Sequence, residues 1–170
     1  MSALRLVLLT ADHDLTGFDS DNTQLDSWLC DHALASQRAD LARTYLVLLS
    51  EAIVAYVSLT TGSIHAEAAP RRYARGMPRH PIPTILIARL AVDQQHQGRG
   101  LGSRLLSEVL RRAVQTSDVV AARLVVVDAI DDRAAAFYRP WGFIDIPENP
   151  HRLFRKISDI RRSLEQHTPD

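Results

Sequence analysis

Three glycines spaced two apart, Gly98, Gly100 and Gly102, stand between an apolar run and an amphipathic one in residues 90–113, LAVDQQHQGRGLGSRLLSEVLRRA. The residues before them, TILIARLAV (84–92), are apolar on both faces apart from Arg89, the pattern of a central strand covered on both sides. The residues after them place Leu101, Leu105, Leu106, Val109 and Leu110 at helical spacing. A strand that runs through glycines into a helix belongs to an αβ architecture. It also leaves the first N–H groups of that helix pointing outward at the positive end of its dipole, a seat for pyrophosphate that needs no lysine. Gln97, Arg99 and Arg104 are placed to add side-chain contacts.

Two familiar phosphate binders do not fit. A Walker-type loop requires Gly-Lys-Ser/Thr at the helix start, whereas Gly100 is followed by Leu101 and Gly102. A dinucleotide fold places its glycines near the first strand with an acid about 20 residues on, whereas this segment comes late and only Asp128 approaches such an acid.

Elsewhere strands and helices alternate irregularly. Residues 4–10 (LRLVLLT) form a short apolar strand, and 18–42 an amphipathic helix capped by Asp21 or Asn22, carrying Leu25, Trp28, Leu29 and His32 and ending near Ala39. Residues 44–50 and 52–61 read as a hairpin turning at Ser50 and Glu51. Residues 67–83 hold four prolines and four arginines and read as a surface loop. Then come a buried strand at 122–129, a short helix at 131–142 stopped by Pro140, and a closing pair of strands at 143–146 and 151–157. A chain of 170 residues accommodates one such domain, spanning 1–170.

The formal net charge is zero and Lys156 is the only lysine, so any polyanion must be met by local arginine clusters. Arg71, Arg72, Arg75 and Arg79 form one cluster, and Arg38 and Arg43 flank the end of the first helix. Arg89, charged in an apolar strand, implies an acceptor cleft or a buried ion pair. Cys30, the single cysteine, lies beside Trp28 and Leu29 and reads as a buried, non-catalytic thiol. No signal sequence or membrane-length apolar run is visible, so a cytoplasmic location is expected, with no metal site.

The run Gln97-Gly98-Arg99-Gly100-Leu101-Gly102 resembles the Gln/Arg-x-x-Gly-x-Gly/Ala signature of the GNAT family of N-acetyltransferases. Residues 88–93 (ARLAVD) resemble the family's fourth strand, and 131–143 (DDRAAAFYRPWGF) its later helix with an Ala-x-x-Phe-Tyr…Gly-Phe pattern. The resemblance implies a mixed central sheet of six to seven strands with the fourth and fifth splayed, flanked by about four helices. It implies acetyl-coenzyme A as co-substrate, with pantetheine on the backbone of Leu90, Ala91 and Val92 and the pyrophosphate on the amides of Gln97, Gly98, Arg99, Gly100, Leu101, Gly102 and Ser103. Tyr138 stands where the family often has a tyrosine that protonates the departing thiolate. Asp131 replaces an asparagine found in many members and is left as a helix cap. Asp93, His96, Glu67 and His65 are candidate bases, none singled out by spacing.

Residues 18–49 are similar, more narrowly, to the N-terminal part of toxin-type acetyltransferases of bacterial toxin–antitoxin modules. That likeness implies acetylation of the α-amine of aminoacyl-tRNA, arrest of translation, and a ribbon-helix-helix antitoxin as partner; a homodimer is compatible with it. Arg38, Arg43, Arg71, Arg72, Arg75, Arg79 and Arg89 are then the tRNA candidates. The alternatives are an acetyltransferase for a small-molecule or peptide amine, and a non-catalytic acyl-coenzyme A-binding or interaction module.

Overall fold

The computed structural model describes residues 5–76 and 80–167. Seven strands form one mixed sheet in the order β1-β2-β3-β4-β5-β7-β6. In chain order the elements are β1 (Arg5–Leu8), α1 (Thr23–Asp31), α2 (Ala33–Arg38), β2 (Arg43–Leu49), β3 (Ala52–Ile64), α3 (Arg71–Ala74), β4 (Ile82–Val92), α4 (Leu101–Val119), β5 (Leu124–Asp128), α5 (Asp132–Tyr138), β6 (Ile144–Ile146), β7 (Asn149–Lys156) and α6 (Ile157–Gln166). The strands β4 and β5, joined through α4, run parallel, with Thr84–Ile87 in register with Leu124–Val127. Four residues are in register, and β4 itself runs on to Val92.

By contact, the chain divides into two compact units, one formed by residues up to Thr60 together with Ala88–Leu106, the other by Thr61–Ile87 with the chain from Ser107 onward. In the first unit α1 begins where the Asn22 side chain accepts the Leu25 N–H, which satisfies an N–H with no helical partner. It breaks at His32, so the single helix expected to reach Ala39 is two helices, α1 and α2. The hairpin turn falls at Ser50, which takes φ 56°. The core of this unit is Leu9, Phe18, Leu29, Ala33, Leu46, Leu48, Tyr56 and Ala91. Leu29 has no exposure and so contributes about 2 kcal/mol by its burial. Cys30, the next residue on α1, points outward and is exposed, which corrects the expected buried thiol. Acidic neighbours and partial desolvation, with desolvation the larger cause, push its pKa up, so it is also a poor nucleophile.

In the second unit Ile64, Ile82, Leu124, Val126, Ile146 and Phe154 pack together. Asp131 caps α5 by accepting the Ala134 N–H at 2.8 Å. The stretch expected as a plain loop contains the single turn α3. Helix α6 was not anticipated from the sequence; Ile157 and Ile160 are its buried face. Among the described residues no helix is long and apolar enough to cross a membrane.

Candidate active site

Within the first unit β4 leads directly to the glycine turn. At its end Asp93 is almost fully buried, and its carboxylate accepts the N–H of Asp19 at 3.2 Å and of Gln95 at 3.0 Å. Its backbone N–H donates to the Val54 carbonyl at 2.9 Å. Asp93 is therefore a structural anchor that opens the single 3₁₀ turn at Gln94–His96, each of its carboxylate oxygens accepting one backbone N–H. His96 sits one turn on with Nδ1 buried and without a hydrogen bond, 3.5 Å from the Asp93 carboxylate.

Gln97 closes this anchor. Its Nε2 donates to the Ser20 carbonyl at 3.0 Å and to the Val92 carbonyl at 2.9 Å. Both amide protons are thereby engaged, and the side chain of Gln97 braces the loop. Ser20 is held in turn by Asp26 of α1, which accepts the Ser20 hydroxyl at 2.6 Å. Gln94 adds two more ties to the same segment, its N–H to the Asp19 carbonyl at 2.8 Å and its Nε2 to the Asp19 carboxylate at 2.6 Å. None of these long-range pairings was legible in the sequence, because each joins residues more than 70 positions apart.

Beyond Gln97 the backbone enters the left-handed region twice, at Gly98 (φ 73°) and Gly100 (φ 76°), where a side chain costs about 1–2 kcal/mol. A Cβ at either position would meet nothing within 4 Å, so the turn is open above its amides. The first N–H bonded inside α4 is that of Arg104, to the Gly100 carbonyl at 3.1 Å. The amides of Leu101, Gly102 and Ser103 before it have no helical partner by position. No acid lies in the first turn of α4. Arg99 and Arg104 are exposed, without ion-pair partners among the described residues. An open cradle of N–H donors with two free guanidinium groups and no acid fits a diphosphate.

Leu90, Ala91 and Val92 form the end of β4, with Ala91 in the core and Leu90 and Val92 half-buried. Arg89 precedes them, and its guanidinium lies over the Trp28 ring, 4.0 Å from the centroid. The buried ion pair considered for it is absent among the described residues. Arg43 is occupied at the end of α2, paired with Asp40 at 2.7 Å and donating to the Gln37 carbonyl at 3.2 Å. Arg38 is exposed in the last turn of α2.

In the second unit Tyr138 ends α5 and is 5% exposed. Its ring makes edge contacts with Phe137 (5.0 Å between centroids) and Phe143 (5.6 Å). Burial pushes its phenol well above the ordinary tyrosine range, so the group holds its proton at any physiological pH. Among the described residues its hydroxyl has no hydrogen bond, which leaves that proton available to a ligand. Asp128 is bound by both arms of Arg152, at 2.6 and 2.8 Å. Arg71, Arg72 and Arg75 line one small hollow at α3, while Arg79 lies outside the described residues. His65 and Glu67 are exposed beside this helix. Among the described residues no cluster of three or more His, Cys, Asp or Glu is placed to hold a metal ion.

Comparison with known proteins gives these parts a context. Residues 12–143 match the model of the acetyltransferase (GNAT) family. The chain is 38% identical to a tRNA-acetylating toxin of Mycobacterium tuberculosis over 148 residues, covering 87% of this chain and 89% of that one. The toxin AtaT, solved in complex with acetyl-methionyl-tRNAfMet, superposes with a TM-score of 0.87 at 27% identity, covering 95% of this chain and 99% of that one. A Tyr-to-Phe mutant of AtaT, bound to acetyl-coenzyme A and the C-terminus of the antitoxin AtaR, gives a TM-score of 0.82 at 26% identity, covering 97% and 100%.

Proposed function

The chain belongs to the acetyltransferase (GNAT) family, and from that premise we propose that it is the toxin of a toxin–antitoxin pair, transferring acetyl from acetyl-coenzyme A to the α-amine of aminoacyl-tRNA. The observation that carries the reading is the open glycine turn, whose amides fit a diphosphate, in a chain 38% identical to a tRNA-acetylating toxin.

The coenzyme supplies an acyl carbon activated as a thioester. The residues hold it by division of labour. Amides of Gly98, Arg99, Gly100, Leu101, Gly102 and Ser103 bind the diphosphate, with Arg99 and Arg104 adding charge. The backbone of Leu90, Ala91 and Val92 offers pantetheine an extended edge. Gln97 fixes the turn from behind. Tyr138, whose burial keeps its phenol protonated, would act as the general acid: it would protonate the departing thiolate as the carbon–sulfur bond breaks, and the proton released by the amine would restore the phenol. An α-amine, with an ordinary pKa near 8, is partly neutral at physiological pH and needs no strong base. That agrees with the engaged carboxylate of Asp93.

The phosphates of tRNA are met locally, since the net charge is zero. Arg71, Arg72 and Arg75, with Arg38, supply that charge, and Arg79 belongs to the same run of sequence. The partner is an antitoxin, of ribbon-helix-helix type on the sequence resemblance. A cell-free translation reaction tests the reading. Added protein should stop translation only when acetyl-coenzyme A is present, and Tyr138→Phe should not. Arrest without the coenzyme would contradict it.

A further inference from the structure

Arg89 differs from the other arginines of the first unit in what it rests on. Arg89 is half-buried and its Cζ lies over the Trp28 ring, 4.0 Å from the centroid. Trp28 is itself stacked on Tyr56, with 6.3 Å between centroids and 14° between planes. The Tyr56 hydroxyl donates to the Leu25 carbonyl of α1 at 2.7 Å, and Phe18 meets the same ring edge-on at 5.5 Å. The shelf under the guanidinium is thus pinned to α1, to β3 and to the core.

Burial lowers the pKa of Arg89 from its ordinary value while the neighbouring Tyr56 acts in the opposite sense, but an arginine remains a cation under both. Arg43, Arg111, Arg139, Arg152 and Arg161 each have a carboxylate within 3.2 Å. Arg89 has neither an ion pair nor a hydrogen bond among the described residues. None of its nitrogens is buried without a partner, so its N–H donors still reach water and are open to a ligand. Its Cζ lies over the Trp28 ring, and the N–H donors of its planar fork match phosphate oxygens two at a time.

We propose that Arg89, held over the Trp28 ring, is a phosphodiester seat that takes the backbone phosphate next to the aminoacylated 3′ nucleotide of the acceptor. The proposal rests on the charged-tRNA reading and deepens it. Arg89 directly precedes Leu90 on β4, so a phosphate fixed there places the nucleotide, and the amine it carries, relative to the pantetheine strand. Every charged tRNA has this phosphate whatever its amino acid, whereas a seat for an acidic amino-acid side chain would serve only two of them. The seat therefore selects nucleotide-borne amines over free ones.

The test uses two small acceptors, an aminoacyl-adenosine with no phosphate and an aminoacyl-cytidylyl-adenosine with a single phosphodiester. The wild-type protein should prefer the second by about tenfold or more in kcat/KM, the worth of a charged hydrogen-bonded contact. Arg89→Gln should bring that ratio near one, chiefly through KM. Arg89→Lys, which keeps charge but loses the fork and the stack, should fall between. A ratio unchanged in Arg89→Gln, or a preference that follows acidic amino acids and ignores the phosphodiester, would overturn the proposal. Should wild type acetylate neither fragments nor charged tRNA, the acceptor reading fails and binding decides the seat separately. In a Trp141→Phe background cytidylyl-adenosine should quench Trp28 fluorescence, and Arg89→Gln should abolish the quenching; equal quenching would refute the seat.

Discussion

The Gln97 side-chain amide donates to the Ser20 carbonyl at 3.0 Å, across 77 positions of sequence. Its other bond, to the Val92 carbonyl at 2.9 Å, ties the end of β4 to the segment that opens α1. The glycine turn is therefore shaped before any ligand arrives, and binding need not supply the ordering free energy.

Gln97→Ala removes both bonds and leaves two carbonyls to find water. Stability should fall by about 1–2 kcal/mol, and coenzyme affinity by roughly tenfold through loss of preorganisation. Thermal unfolding and calorimetric titration with the coenzyme measure the two effects. Lost stability with unchanged affinity would confine Gln97 to the fold.

Gly100 separates backbone conformation from space. At φ 76° with nothing within 4 Å of a built Cβ, Gly100→Asn tolerates the backbone and adds a modest side chain, whereas Gly100→Val adds bulk and strain of about 1–2 kcal/mol. Coenzyme binding should weaken in both, more in the valine variant. Equal binding by wild type and both variants would remove the diphosphate from this turn.

Both chemistry and stability of the Tyr138 phenol can be read by pH. Tyr138→Phe should cut kcat by about a hundredfold or more, the scale of general acid catalysis, with coenzyme affinity near wild type. Burial raises the folded pKa of Tyr138 and of Tyr56 above the unfolded value of about 10. The stability they contribute is fully present below pH 10 and is lost as the pH rises above it, because the unfolded state ionises first. With one lysine and four tyrosines in the chain, this loss is readily seen in Tm between pH 9 and 12. Tyr138→Phe should show a shallower fall; an identical slope would mean that Tyr138 ionises normally.

Reversing charge at Arg71, Arg72 and Arg75 should depress acetylation of charged tRNA and flatten its salt dependence by about one unit of slope per lost phosphate contact. Transfer to a small aminoacyl-adenosine should be spared. Loss on both acceptors would mean that the arginines serve the fold or the coenzyme.

The sequence displayed the parts that depend on local order. Gly98 and Gly100 lie in a turn between strand and helix, as their spacing suggests, Asp131 caps its helix, and the central strand before the turn is where its apolar run lies. It concealed what depends on distant pairing. The Asp93, Gln94 and Gln97 anchor engages Asp19 and Ser20, and of the two readings for Arg89, an acceptor cleft or a buried ion pair, the ion pair gives way to a contact with Trp28, which leaves no charge pattern to read. Helix α6 carries Ile157, Ile160 and Leu164 at helical spacing, but it follows β7 without a break, so its start is masked by the strand pattern. Cys30 looked buried from its neighbours, but only alternate helix faces are covered, and Leu29 has the inward one.

The central claim is acetyl transfer to an aminoacyl-tRNA, and labelled acetyl-coenzyme A incubated with total charged tRNA tests it most directly. Label should appear on the aminoacyl group as an amide that survives when the ester to tRNA is hydrolysed, and should appear about a hundredfold more slowly in Tyr138→Phe. Label absent from charged tRNA but present on free small amines would contradict the account.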